Sequence, residues 1–154
     1  RTIIILFVTV IGFRVYTVGQ LLLEFYQRGS SLENYCDVVH MPCIAVEFIK
    51  KTKLEGRMLN YYTWGGYLIW NVPEYKVFVD GRIPGGGIYE EFDKIVHLES
   101  SWQEILDKHH VGWILFPRYT RFEGLLVKNG WKQIYVDTLS VILVRNASES
   151  ANFK

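Results

Sequence analysis

The chain opens with a hydrophobic run that carries no charge. The twelve residues Thr2–Phe13 that follow Arg1 contain no Asp, Glu, Lys or Arg. A helix of twelve residues reaches only about 18 Å, which is short of the roughly 30 Å hydrocarbon core of a bilayer. A membrane span therefore needs more chain, either past Arg14 to Leu23, with the Arg14 side chain reaching an interface, or upstream of Arg1.

Three structures compete for this segment: the end of a last transmembrane helix, an uncleaved signal-anchor and an internal core helix. The sequence favours a transmembrane helix over 1–23, because a core helix of this apolarity needs a larger domain around it. A secretory signal peptide is disfavoured, since no small-residue cleavage pattern follows the apolar run. The first residue is Arg1 rather than Met, so we expect a fragment that begins inside a hydrophobic segment.

The rest of the chain divides by composition into a linker, a domain and a tail. A polar linker is predicted over 24–41, a globular domain over 42–145 and a disordered tail over 146–154. In the whole chain, 17 basic and 16 acidic residues give a net charge of +1, and no basic stripe suits a nucleic-acid backbone. The two cysteines, Cys36 and Cys43, fit either a reduced pair or one disulfide. The histidines lack metal-ligand spacing, so neither a metal nor another cofactor is expected.

Predicted strands and helices alternate through the domain, which ends in a hairpin. The strands are predicted at 57–60, 76–79, 111–116, 131–136 and 139–144. The helices are predicted from Pro42 to a stop at Gly56, at 64–70, at 88–98, from a capping box at Ser101 to 110, and at 121–129. This order predicts a three-layer α/β domain with a mainly parallel sheet and an antiparallel C-terminal hairpin, preceded by one transmembrane helix.

The stretch from Asn60 to Arg82 holds most of the unusual chemistry. In open sheets, ligands bind at the carboxyl ends of strands, where Asn60 and Asp80 are predicted to lie. The Asp80 carboxylate could accept sugar hydroxyls, and the Arg82 guanidinium could hold a phosphate or carboxylate. The alternative is an Asp-Gly turn whose two side chains pair with each other. The candidate ligand-binding residues are Asn60, Tyr62, Trp64, Gly65, Gly66, Asp80, Gly81 and Arg82.

The aromatic residues of this stretch have two possible roles. Together with Tyr61, Trp64 and Tyr62 suit a flat stacking surface for a sugar ring or a lipid-facing ledge near the membrane interface. Packing between helix and sheet suits Trp64 and Tyr62 equally well. For Tyr67 and Trp70, core or interdomain packing is favoured. The stretch has no nucleophile with a base and no complete phosphate-binding loop, so no catalytic residue is predicted.

Two further groups of polar residues are expected to be structural. Glu90 and Glu91 point about 100° apart on a helix and suit a solvated face. His109 and His110 lie near a predicted helix end, where a histidine interacts favourably with the helix dipole.

Several segments resemble a known class of membrane protein. The sequences Asn60–Trp70 and Lys76–Arg82, together with Trp113–Pro117 and Gly130–Trp131, resemble the C-terminal extracytoplasmic domain of bacterial polytopic membrane proteins. Those proteins are similar to the GT-C glycosyltransferases, which use polyprenyl-phosphate-linked sugars. The resemblance covers about Pro42–Arg145, and the hydrophobic segment before it resembles the last transmembrane helix of the family.

The resemblance implies a location and a set of partners. It implies an inner (plasma) membrane protein whose soluble domain is extracytoplasmic and supports hexosyl transfer from a lipid-linked donor to a glycan or protein acceptor. The catalytic acidic residues of that class lie in loops between earlier transmembrane helices, so the present chain alone is expected to be inactive. The alternative is a non-catalytic, membrane-anchored module for carbohydrate binding or protein interaction.

Overall fold

The computed structural model describes residues 2–28, 36, 38–82 and 87–145. These residues fall into two compact units, one ending at Val39 and the other beginning at His40. The predicted tail over 146–154 and the middle of the predicted linker lie outside the described residues. Both cysteines, Cys36 and Cys43, are disulfide-bonded.

The first unit contains one long helix, α1 (Thr2–Arg28). It covers residues 2–23 of the span predicted over 1–23 and runs on into the predicted linker. Large apolar side chains, each between 50% and 67% exposed, line the part of α1 whose side chains are described: Val10, Ile11, Phe13, Val15, Tyr16, Val18, Leu21, Leu22 and Leu23. Within the described residues no helix is long and apolar enough to cross a membrane, so the transmembrane helix of the expected fold is not found.

The second unit is built on a mixed sheet. Its strands are β1 (Arg57–Asn60), β2 (Val111–Pro117), β3 (Lys132–Val136) and β4 (Ser140–Val144). They lie in the order β1-β2-β4-β3. The pair β1 and β2 is parallel, whereas β2 with β4 and β3 with β4 are antiparallel. The α/β class is confirmed, and the prediction of a mainly parallel sheet is wrong.

The prediction of a mainly parallel sheet is wrong because of the segment Lys76–Val79, which the sequence predicts to be a strand. It forms no strand in the structure. Its backbone is instead held by a side chain, because the N–H groups of Phe78 and Val79 donate to the Asn60 Oδ1 atom. Without this strand, the sheet has only the β1 and β2 parallel pair among the described residues.

Helices cover both faces of the sheet. They are α2 (Cys43–Lys51), α3 (Gly65–Asn71), α4 (Ile88–Val96), α5 (Trp102–Lys108) and α6 (Arg121–Lys128), and a 3₁₀ turn (Tyr62–Trp64) precedes α3. Alternate residues of β2 divide between the two faces, as the two-residue period of a strand requires. Ile114 and Phe116 pack in the cluster with α4, α5 and α6, and Trp113 and Leu115 pack in the cluster with α2 and α3. The domain is therefore three-layered, as expected.

The N-termini of α5 and α6 differ in how their backbone amides are satisfied. Thr120 caps α6, since its Oγ1 atom accepts from the Glu123 N–H at 3.1 Å. The Glu123 Oε2 atom in turn accepts from the Tyr119 N–H at 2.6 Å. Ser101 precedes α5, but its side chain makes no cap hydrogen bond within the described part of the chain. The predicted capping box at Ser101 is therefore wrong, although the helix begins where expected.

This contrast gives a matched pair of substitutions. Thr120→Ala should lower the free energy of unfolding by about 1 kcal/mol, because it removes the acceptor of an N-terminal amide. Ser101→Ala removes no such bond and should change stability by less than about 0.5 kcal/mol. Urea unfolding of the two variants and the wild type measures the difference. Equal losses of stability in both variants would contradict the assignment of the cap.

Candidate functional site

Asn60, the last residue of β1, connects the sheet to the segment that follows α3. It is fully buried. Its Oδ1 atom accepts from the N–H groups of Phe78 at 2.8 Å and Val79 at 3.4 Å. Its Nδ2 atom donates to the Val79 carbonyl at 2.8 Å and the Tyr61 carbonyl at 3.0 Å. A side-chain amide has two donor hydrogens and two acceptor lone pairs, so the backbone uses the whole capacity of Asn60.

Gly65, the first residue of α3, packs directly against the same segment. A Cβ atom at Gly65 would lie 2.4 Å from the Val79 carbonyl oxygen and 2.6 Å from the Asp80 Cβ atom. At the neighbouring Gly66, a Cβ atom would meet nothing within 4 Å among the described residues. Only the first glycine of the pair is therefore required for the close approach of α3 to Val79 and Asp80.

Asp80 and Arg82 form a closed pair around the exposed Gly81. The Arg82 Nε atom donates to Asp80 Oδ1 at 2.8 Å, and Nη2 donates to Oδ2 at 2.7 Å. The Arg82 backbone N–H also donates to Oδ1 at 2.9 Å. The Asp80 side chain is 8% exposed and that of Arg82 is 78% exposed. This is the Asp-Gly turn with paired side chains, which is the alternative to a ligand site in the sequence analysis. The turn presents one face of a fixed guanidinium to solvent.

The pair is ionised at neutral pH. Hydrogen bonds from the Arg82 side chain lower the pKa of Asp80 from 3.8 to about 2, against the opposing effect of burial. The same hydrogen bonds raise the pKa of Arg82. Asp80 is therefore a bound carboxylate and not a proton donor near pH 7.

Trp64 and Tyr62 do not form one stacking surface. Trp64 is only 2% exposed and belongs to the cluster with α2 and α3, where its Nε1 atom donates to the His40 carbonyl at 2.9 Å. Tyr62 is half-buried and packs on the opposite cluster, with its ring centroid 5.6 Å from that of Tyr89. The two residues thus lie on different faces of the sheet.

Trp70 is the exposed aromatic residue of this stretch, although the sequence favoured core or interdomain packing for it. Its side chain is 86% exposed, so it is not part of the core. The buried residues of α3 and its C-cap are Gly65, Leu68 and Val72, which are spaced three and four apart. A helical projection from these three residues places Trp70 on the outer face.

The carboxyl end of β2 lies beside that of β1 but carries a separate polar group. The Tyr61 N–H donates to the Leu115 carbonyl at 3.1 Å, which joins the two strand ends. Arg118 donates from Nη1 to the Asp137 carbonyl at 2.9 Å, and its guanidinium lies 4.4 Å from the centre of the Tyr119 ring. Arg118 is therefore engaged with the β3 and β4 hairpin.

One ionic cluster was missed by the sequence analysis. Glu91 on α4 accepts from Lys108 Nζ at 2.5 Å and is also bonded to His109 Nε2. Lys108 and His109 together lower the pKa of Glu91. The rings of His109 and Phe78 form a T-shaped pair with a centroid distance of 5.0 Å. Glu91 therefore ties α4 to the end of α5 and is not only part of a solvated face.

The polar side chains of the candidate site hold backbone segments and one another in fixed positions. Within the described residues, no three His, Cys, Asp or Glu side chains come together as a metal site requires. No protein-family model matches the chain, and no curated protein or solved structure matches it significantly.

The two glycines of α3 provide a test of this geometry. Gly65→Ala should destabilise the protein by about 1 to 3 kcal/mol, because the new Cβ atom overlaps backbone that cannot move freely. Gly66→Ala should be neutral or stabilising by up to about 1 kcal/mol, since Ala favours a helix and the space is open. Chemical unfolding of both variants measures the effect. Similar stability in the two variants would show that α3 does not pack against Asp80 in this way.

The Asp80 pair predicts a pH dependence. The pKa of Asp80 is lower in the folded state, at about 2, than its ordinary 3.8. Its contribution to stability is therefore complete above 3.8 and is lost as the pH falls through about 2. Asp80→Asn should remove this part of the stability change between about pH 4 and pH 2. Arg82→Gln should remove it too, because the guanidinium causes the shift. Parallel stability profiles for the wild type and both variants would contradict the pairing.

Proposed function

We propose that the chain belongs to an integral membrane protein of the glycosyltransferase type. In this proposal α1 anchors the chain in the inner (plasma) membrane. The α/β unit lies on the extracytoplasmic side and supports transfer of a sugar from a polyprenyl-phosphate-linked donor to a glycan or protein acceptor. Its role is to position the donor or acceptor, and the chain alone is inactive.

The observation that carries the proposal is the exposed apolar surface of α1. Its nine large apolar side chains between Val10 and Leu23 are each at least half exposed. Their positions, at successive steps of 100°, surround the helix on all sides. Apolar side chains on every side of a helix favour an apolar environment around it. Seven more uncharged residues, Thr2–Val8, belong to the same helix.

The disulfide supports the extracytoplasmic side. Cys36 and Cys43 are both disulfide-bonded. Disulfides form and persist in oxidising compartments such as the bacterial periplasm and cell surface, and they are rare in the cytosol.

Arg82 supports the choice of a phosphate-containing ligand. Its guanidinium is held in one orientation by two bonds to Asp80, and yet its side chain is 78% exposed. A planar guanidinium that is already oriented loses less entropy when it binds a phosphate. Asp80 holds Arg82 and remains ionised, so it does not act as the catalytic acid.

One observation favours the non-catalytic alternative. Trp70, on the outer face of α3, is 86% exposed, and the neighbouring Ile69 is 38% exposed. An exposed aromatic surface suits the stacking of a carbohydrate ring or contact with another protein. In this alternative, the chain is a membrane-anchored binding module that does not recognise a lipid-linked phosphate.

Both halves of the proposal can be tested on bacterial membranes that contain the full chain. Wild-type protein should resist extraction with alkaline carbonate, whereas the double variant Ile11→Asp and Phe13→Asp should be released. Each Asp near the centre of a membrane helix costs roughly 2.5 to 3.5 kcal/mol. The wild type should also bind a polyprenyl-phosphate hexose more tightly than the free hexose. Arg82→Gln should weaken that binding about tenfold, because it removes a charge-assisted contact.

Matched controls separate the possible outcomes. Ile11→Leu with Phe13→Leu should stay in the membrane, and Arg121→Gln, which changes an exposed arginine on α6, should keep the wild-type affinity. Release of the wild type by carbonate would disprove the membrane anchor. Binding that depends on Trp70 but not on Arg82 or on the lipid phosphate would favour the non-catalytic module.

A further inference from the structure

Tyr119 is an exposed aromatic residue on a strained turn just after the carboxyl end of β2. Its backbone has a φ of +62°, a region in which a bulky side chain is a steric outlier. The residue is 80% exposed, so burial in the core does not offset the strain. Leu98 has a similar φ of +60°, but its side chain packs against the core cluster with α4, α5 and α6. Because glycine would take the turn without strain, the tyrosine at this position points to a function for its side chain.

Neighbouring groups fix the turn that carries Tyr119. The Arg118 N–H donates to the Leu139 carbonyl at 3.0 Å. The Tyr119 N–H donates to Glu123 Oε2 at 2.6 Å. The next residue, Thr120, accepts from the Glu123 N–H through its Oγ1 atom at 3.1 Å. The turn is thus bonded to the C-terminal hairpin on one side and to α6 on the other. A side chain on a backbone that is already fixed loses less freedom when it binds a ligand.

One face of the Tyr119 ring is covered and the other is open. The Arg118 guanidinium lies 4.4 Å from the centre of the ring, which is the geometry of a cation–π contact. Arg118 is itself held, because its Nη1 atom donates to the Asp137 carbonyl at 2.9 Å. Since Tyr119 keeps 80% of its surface exposed, the face opposite Arg118 is open to solvent. The ring is therefore a flat surface with a fixed orientation.

The chemistry of this open face selects the ligand. Aromatic rings stack on flat apolar surfaces, such as the C–H face of a sugar ring. A cationic ligand is disfavoured, because Arg118 already places one positive charge against the ring and repels a second. The Tyr119 hydroxyl can donate and accept hydrogen bonds at the rim of the ring, which suits the hydroxyl groups of a sugar. The turn also lies at the carboxyl end of a parallel strand, where open α/β sheets bind ligands.

We propose that Tyr119 is the stacking residue of a binding site for a neutral sugar, whose ring lies on the face opposite Arg118. Arg118 and Glu123 are positioning residues, which hold the ring and the backbone of Tyr119. This site is separate from the Asp80 and Arg82 pair and does not depend on the function proposed above.

The test compares two polyhydroxylated ligands, of which only one has a ring. Methyl β-glucoside or sorbitol is titrated into the full chain in a detergent without a sugar head group, and NMR follows the signals of the ligand and of the Tyr119 ring. These signals should shift saturably with methyl β-glucoside. Sorbitol should bind about tenfold more weakly, because it has no flat C–H face. Tetramethylammonium should also bind more weakly than the glucoside, since Arg118 repels it.

Substitutions at Tyr119 separate stacking from folding. Tyr119→Gly should weaken glucoside binding about tenfold because it removes the ring, and it should still fold because glycine tolerates a positive φ. Tyr119→Phe keeps the ring and should stay within about threefold of the wild-type affinity, since it loses only the hydroxyl. Trp70→Ala is the matched loss of another exposed aromatic side chain and should leave the affinity unchanged.

Several results would overturn the proposal. These are equal affinity for the glucoside and sorbitol, tighter binding of tetramethylammonium, no saturable shift in the folded wild type, and wild-type affinity in folded Tyr119→Gly. Binding that is lost in Trp70→Ala but kept in Tyr119→Gly would place the sugar on α3 instead. Should Tyr119→Gly fail to fold, the decision passes to Tyr119→Asn, which also lacks the ring and tolerates a positive φ. Wild-type affinity in that variant would count against the site.

Discussion

The side-chain amide of Asn60 holds together the elements that form the carboxyl end of the sheet. It bonds to the backbone of Phe78 and Val79 as a neighbouring strand would, although no strand is present. Because the amide is fully buried, water does not compete for these bonds, and each is stronger than it would be at the surface. Asp80 follows directly on Val79, and α3 packs on both through Gly65. The position of Arg82 therefore depends on Asn60, although the two residues share no hydrogen bond among those described.

The parts of the fold that the sequence predicted well are those set by local pattern. β2 and the C-terminal hairpin were expected within one or two residues of where they occur, because their apolar period and turn residues act over a few positions. The segment Lys76–Val79 has the same β-forming composition, but a strand also needs a partner edge with which to pair. Its N–H groups donate to the Asn60 side chain instead. A pattern of residue types does not show whether an N–H group will donate to a backbone acceptor or to a side-chain acceptor.

In the candidate site, too, features set by neighbouring residues were predictable, whereas features set by contacts distant in sequence were not. The pairing of Asp80 with Arg82 involves residues two apart, so the sequence contained it as an alternative. The burial of Trp64 and the exposure of Trp70 depend on how the 3₁₀ turn and α3 are oriented towards the sheet, and aromatic content alone does not give that direction. The contact of Glu91 with Lys108 and His109 joins residues from two helices.

The segment held by Asn60 also bears on aggregation. β1 is an outer strand of the sheet, since β2 is its one partner within the described ranges. An outer strand offers unpaired N–H and C=O groups to any other chain that can add a strand. Had Lys76–Val79 joined the sheet, it would have become a new outer strand of the same kind, with an apolar Val-Phe-Val sequence. The segment Lys76–Val79 is instead held by the Asn60 side chain at the end of β1. Its apolar residues Phe78 and Val79 stay buried, and it adds no strand to the sheet.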